Sequence, residues 1–104
     1  MSEDERKALS RQVAVRFGEN LHRARRRLGL SQESLAVRAS LHRTEIGMLE
    51  HGQRLARIDT LIRLAGAMSI PPADLIDGMS WTPGDLLGGS FEFEQLGKPR
   101  GPRK

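Results

Sequence analysis

The sequence predicts an all-α fold of five helices, followed by a short C-terminal extension that can form one β-strand. Apolar residues recur every three or four positions through most of the first 78 residues, as amphipathic helices require. Capping residues and glycines divide that pattern into separate segments. The alternation of apolar and polar residues typical of a strand occurs at residues 90–96.

The first helix is predicted to begin at Ser2. Ser2 and Glu5 have the spacing of a capping box, in which each side chain satisfies a free backbone amide. Gly29 is a typical residue to end the helix. The pattern fits one long helix, or two helices with a break near Gly18. Its apolar positions are Leu9, Val13, Phe17, Leu21, Ala24 and Leu28.

The second and third helices are short and meet at a tight corner near Ala39 and Ser40. Ser31 is predicted to cap the second helix, and the third runs from about Arg43 to Glu50 and stops at Gly52. Their apolar and small positions are Leu35, Ala36, Ala39, Leu41, Ile46 and Leu49. Two amphipathic helices around such a corner are typical of a helix-turn-helix, a motif that reads DNA.

Two more helices are predicted before Gly78. The fourth runs from about Asp59 to Met68, and a short fifth helix starts at Pro72. Their predicted core residues are Leu61, Ile62, Leu64, Ala65, Met68, Leu75 and Ile76.

The extension after Gly78 contains the strand-like run. The segment 82–85, Thr-Pro-Gly-Asp, fits either a single helical turn or a β-turn. No second strand-like run is evident, so residues 90–96 are predicted to pair with the same segment of a second subunit. The dimer interface would then contain Trp81, Leu86 or Leu87, Phe91 and Phe93. Dimerisation through the helical domain is the alternative. Residues 98–104 are predicted to be a disordered basic tail.

Three blocks occur in a characteristic order: LGLSQESLA at 28–36, IGMLEHG at 46–52 and LIRLAGAM at 61–68. On these blocks, the chain from about Val15 to Gly78 resembles the lambda-repressor-like (Cro/cI, xenobiotic-response-element) helix-turn-helix family of DNA-binding proteins. The resemblance implies a DNA-binding domain over 15–78, with residues 1–14 extending the first helix and residues 79–97 forming a dimerisation extension. The chain departs from the usual family pattern at three positions, where it has Ser40, His42 and Arg57.

The resemblance also implies roles for individual residues. Arg43, Thr44 and Met48 would face the DNA bases, together with the exposed early positions His42 and Gly47. An arginine can bridge guanine O6 and N7; a phosphate contact is the alternative for Arg43, and packing on the domain is the alternative for Met48. Gln32 would hold the DNA backbone, and Arg25 and Glu50 would form an internal ion pair. Further candidates for phosphate contact are Ser31, His51, Gln53, Arg54 and Arg57.

Composition narrows the function classes. The chain has 104 residues, no cysteine and a formal net charge of +4. Residues 23–57 hold eight arginines against three acidic residues, so positive charge is concentrated at the motif.

No apolar run approaches the roughly 20 residues of a membrane span, and the N-terminus is acidic and polar, so a cytoplasmic protein is expected. The three histidines, His22, His42 and His51, lack the spacing of a helical metal pair. We expect no metal, cofactor or enzymatic activity.

The predicted function is that of a homodimeric, sequence-specific transcription regulator on a palindromic double-stranded DNA operator. Two alternatives share the fold: the antitoxin of a toxin-antitoxin pair, and a restriction-modification controller. A third, of another class, is an adaptor that binds a protein such as a transcription factor.

Overall fold

The computed structural model describes residues 1–95, which form four α-helices, a 3-10 helix and a two-stranded sheet. The α-helices are α1 (Glu3–Arg27), α2 (Gln32–Ala39), α3 (Arg43–Glu50) and α4 (Ile58–Met68). The 3-10 helix spans Pro72–Ile76, and the strands are β1 (Met79–Pro83) and β2 (Gly89–Phe93). No helix within residues 1–95 is long and apolar enough to cross a bilayer.

The prediction of five α-helices is wrong by one. The segment after α4 forms a 3-10 helix of five residues, because Pro71 and Pro72 supply no backbone donors and Gly78 soon ends the segment. The first helix is unbroken at Gly18, and the capping box of Ser2 and Glu5 is present at its start.

The core lies where α1, α2, α3, α4 and the 3-10 helix meet. Its fully buried side chains are Leu21, Leu35, Ile46, Leu49, Leu64 and Leu75. Two of the predicted core residues are exposed, Ile62 at 55% and Ile76 at 47%, and Leu61 is half-buried. The apolar periodicity of a helix does not show how much of its apolar face a neighbour covers.

Strands β1 and β2 form an antiparallel hairpin within one chain, which contradicts the prediction of a single strand that needs a second subunit. Trp81 pairs with Phe91, and Met79 pairs with Phe93. Segment 82–85 is therefore neither a helical turn nor a β-turn: Thr82 and Pro83 end β1, and the turn lies at 85–88. The strand ends at Phe93; Leu96 and the tail 98–104 lie outside the described residues.

The hairpin is fixed to α1 on its apolar face. Trp81 meets Phe91 edge to face, with ring centroids 4.9 Å apart, and the guanidinium of Arg16 lies 5.8 Å from the Phe93 ring centre. Arg16 also donates a hydrogen bond to the carbonyl of Glu94. The predicted closure of Phe91 over Trp81 therefore occurs inside one chain, and Leu86 takes no part in it, being 97% exposed.

Candidate nucleic-acid interface

The first turn of α3 is exposed and capped by an imidazole. His42 Nδ1 accepts a hydrogen bond from the backbone N–H of Thr44 at 3.1 Å. A ring nitrogen that accepts carries no proton, so the neutral ring has its proton on Nε2. His42 thus caps α3 in place of a hydroxyl side chain, and its Nε2–H is still available as a donor.

Arg43 and Thr44 are solvent-exposed at this turn, whereas Ile46 and Leu49 are buried on the opposite side of α3. Gly47 and Met48 are half-buried. The helix therefore presents a polar N-terminal turn while its apolar side packs on the core. This arrangement allows a major groove to be read by Arg43 and Thr44.

The start of α2 lies beside α3. Ser31 caps α2 by accepting from the N–H of Ser34 at 3.0 Å. Gln32 is half-buried, and its Nε2 donates to Glu50 Oε1 at 3.2 Å. The side-chain amide nitrogen of Gln32 is thus engaged inside the protein. Because Ser31 already satisfies the N–H of Ser34, the backbone N–H groups of Gln32 and Glu33 are the donors suited to phosphate.

The turn after α3 carries the other phosphate candidates. His51, Gln53, Arg54 and Arg57 are all exposed. His51 Nδ1 lies 2.7 Å from the carbonyl oxygen of Gly47; because a carbonyl only accepts, Nδ1 must carry the proton. The Nε2 of His51 can therefore donate to a phosphate only when the ring carries a second proton. Arg57 Nε is paired with Asp59 at 3.2 Å, and Arg57 caps α4 without a side-chain hydrogen bond.

Glu50 is the centre of a cluster that ties three helices together. Arg25 binds it with two nitrogens, Nε at 2.5 Å from Oε2 and Nη2 at 2.9 Å from Oε1. His22 Nδ1 lies 3.0 Å from Oε1, and Gln32 is the remaining partner. Arg25 also donates to the carbonyl of Leu30 at 2.8 Å. We call Glu50, Arg25, His22 and Gln32 the Glu50 cluster; it fixes the end of α3 to α1 and to the start of α2.

Burial and hydrogen bonding act in opposite directions on Glu50, whose side chain is only 4% exposed. Burial favours the neutral acid, but hydrogen bonds from Arg25, His22 and Gln32 outweigh it, so the pKa of Glu50 is lowered from its ordinary value of 4.5. The same hydrogen bond to Glu50 raises the pKa of Arg25. The pair therefore stays charged at neutral pH.

Sequence reasoning missed two features of this region. The sequence-based predictions do not place His22 in this cluster, although it lies three residues before Arg25 and therefore on the same side of α1. They also do not predict the hydrogen bond from Gln32 to Glu50, since the family resemblance implies only a DNA contact for Gln32. Within residues 1–95, no group of three or more His, Cys, Asp or Glu side chains could hold a metal ion.

Comparison with known proteins places this geometry among DNA-binding regulators. The sequence pattern of the helix-turn-helix family matches residues 21–75, more than half of the chain. The chain is 31% identical to the control protein C.BamHI of Bacillus amyloliquefaciens over 70 residues, which cover 66% of this chain and 86% of that one. It is 33% identical to an uncharacterized HTH-type transcriptional regulator of Sinorhizobium fredii over 66 residues, 64% of this chain and 86% of that one.

Solved structures agree. The restriction-modification controller protein C.AhdI from Aeromonas hydrophila superposes with a TM-score of 0.59 and 40% identity, over 60% of this chain and 94% of that chain. The hypothetical transcription factor NHTF from Neisseria also has a TM-score of 0.59, with 23% identity over 62% and 74% of the two chains; that likeness concerns the fold alone. These relatives are named as controllers and regulators rather than enzymes.

Proposed function

Because the chain belongs to the lambda-repressor-like helix-turn-helix family of DNA-binding regulators, we propose that it binds a palindromic operator as a cytoplasmic homodimer and regulates transcription there. The observation that carries this proposal is the exposed first turn of α3, with Arg43 and Thr44 in solvent and the Glu50 cluster fixing the other end of the helix. A recognition helix needs both properties, since base contacts demand a fixed orientation.

The surface of α4 supports a dimer. Ile58 is 75% exposed and Ile62, one turn further along, is 55% exposed. Leu55, in the preceding loop, is also exposed. We call these three residues the α4 face. Exposed apolar side chains close together in sequence on a small domain favour burial against a second protein surface. A two-fold dimer would also double the number of bases read.

A narrower candidate is control of a restriction-modification system. It is favoured by the names of two relatives, C.BamHI and C.AhdI, of which C.AhdI is 40% identical to this chain. Its test is whether the protein binds DNA upstream of an adjacent endonuclease or methyltransferase gene. Binding beside a toxin gene would favour the antitoxin instead.

We expect Arg43 to read a base and Arg54 to hold the backbone. Selection from a random DNA pool would first give the operator. Arg43→Ala should then cost about 1–3 kcal/mol of binding free energy on that operator and relax the preference at one base pair. Arg54→Ala should weaken operator and random DNA alike and reduce the salt dependence of binding.

The two variants are matched, since each removes one exposed arginine, the first at the start of α3 and the second in the loop after it. Equal losses on operator and random DNA for Arg43→Ala would reject base reading by that residue. Failure of the wild-type protein to bind DNA, together with salt-insensitive binding of another protein, would favour the adaptor alternative.

A further inference from the structure

The loop of the hairpin ends in two exposed leucines. Leu86 is 97% exposed and Leu87 is 90% exposed, the highest values among the large apolar residues that the structure describes. Trp81, on the neighbouring strand, is also exposed over nearly half of its surface. Single exposed leucines are common on protein surfaces, but two adjacent and almost fully exposed leucines at a loop end form an apolar patch. We call Leu86 and Leu87 the hairpin tip.

The backbone conformation of the hairpin tip disfavours the two leucines that occupy it. Leu86 and Leu87 have φ angles of 46° and 66°, in the left-handed region, and the N–H of Gly88 closes the turn on the carbonyl of Asp85 at 3.0 Å. Two central residues with positive φ are the pattern of a type I′ turn, which favours Asn-Gly. Leucine is disfavoured there by its Cβ. Local strain combined with full exposure points to a surface that binds something.

Charge argues against DNA as the occupant of the hairpin tip. Residues 79–93 contain two acidic residues, Asp85 and Glu92, and no basic residue. Asp85 directly precedes the tip, where it would repel phosphates. The suitable occupant is an apolar protein surface.

This chain itself offers such a surface. The α4 face is apolar and exposed, and the hairpin of the same chain packs on α1, through Arg16. In a two-fold dimer, a contact between two different surfaces of the two copies occurs twice. The hairpin tip and the α4 face are comparable in size, since the hairpin tip has two large aliphatic side chains and the α4 face has three.

We propose that in the homodimer each hairpin tip packs on the α4 face of the second copy. This inference rests on the homodimer of the proposed function and adds the pair of surfaces that would hold it together. The hairpin lies outside residues 21–75 that match the family, so this contact would be an addition to the common domain.

The test is the double substitution Leu86→Asn with Leu87→Gly in the full-length chain. Asn-Gly suits a type I′ turn, so at a protein concentration low enough to keep both proteins monomeric the variant should melt at a temperature equal to or higher than that of the wild type. Removing four leucines from one dimer should raise its dissociation constant by at least about 100-fold in sedimentation experiments. Ser80→Asn, on the exposed polar side of the same hairpin, should leave dimerisation unchanged.

A second variant tests the acceptor surface. Ile58→Ala removes an exposed side chain at the start of α4 and should leave the fold intact. If the hairpin tip meets the α4 face, the tip and Ile58 variants remove the same contact. Their combined effect on the dissociation constant should then be smaller than the product of the separate effects. Independent, multiplicative effects would overturn the assignment.

The outcomes separate the two proposals. A wild-type protein that sediments as a monomer and binds a single half-site would overturn the homodimer and the tip contact together. A tip variant that dimerises as tightly as a dimeric wild type would overturn the tip contact alone, and the exposed leucines would then serve a partner other than a second copy.

Discussion

Replacing Glu50 by Ala is expected to lower the free energy of unfolding by about 3–5 kcal/mol. The substitution leaves the guanidinium of Arg25 buried without its carboxylate, with the carbonyl of Leu30 and His22 Nδ1 as its remaining partners. It also removes the acceptor of Gln32. Thermal or urea unfolding measures the change.

Glu19→Ala is the matched control, because Glu19 is an exposed carboxylate in the middle of α1. Its loss should change the free energy of unfolding by no more than about 0.5 kcal/mol. Equal stability of the two variants would mean that Arg25 reaches solvent when Glu50 is absent.

Glu50 should also make the stability of the fold depend on pH. The pKa of Glu50 is lowered in the folded state, so its charged form contributes stability above 4.5, the ordinary value. This contribution is lost as the pH falls through the folded-state pKa. The difference in unfolding free energy between wild type and Glu50→Gln should therefore be constant near neutral pH and shrink below about pH 4.5. A difference that grows on acidification would contradict the sign.

Gly18→Ala is expected to destabilise the fold by about 3 kcal/mol, at the upper end of the usual cost of overpacking. A Cβ at this position would collide with the carbonyl oxygen of Leu49 and lie 2.7 Å from that of Glu50. Both atoms are backbone, so the end of α3 would have to move away from α1.

Gly66→Ala is the control of opposite sign. Gly66 lies inside α4, and a Cβ there would meet nothing within 4 Å. This variant should gain about 0.5–1 kcal/mol from reduced freedom of the unfolded chain and from helix propensity. A Gly18→Ala protein as stable as Gly66→Ala would show that α1 and α3 can separate at low cost.

Local chemistry made much of the helical fold predictable. Ser31 as a cap and Gly29 as a stop are local features that one sequence displays, and both have the expected geometry. The family resemblance is confirmed by the match over residues 21–75. The pairing expected of Arg25 and Glu50 came from that resemblance, because two charges 25 positions apart have no local signal.

The hairpin was not predictable by the same means. Strand β1 reads Met-Ser-Trp-Thr-Pro, with a proline at its end, and its turn contains Leu-Leu instead of Asn-Gly. Its attachment to α1 also depends on a distant contact, in which Arg16 donates to the carbonyl of Glu94, 78 positions later in the chain. Likewise the exposure of Ile62 depends on where the neighbouring helices lie, and helical periodicity carries no such information.

Helix α1 binds both the hairpin and the segment just before it, through two side chains one helical turn apart. Arg16 donates a hydrogen bond to the carbonyl of Glu94, at the end of the hairpin. Asn20, four residues later in α1, donates to the carbonyls of Leu75 and Asp77, which come just before the hairpin in the chain. One inserted residue between them would turn Arg16 by about 100° around the helix axis relative to Asn20. In an evolutionary lineage that keeps the hairpin, this stretch should therefore tolerate neither insertions nor deletions. Length changes should accumulate instead before Leu9, where every residue is exposed.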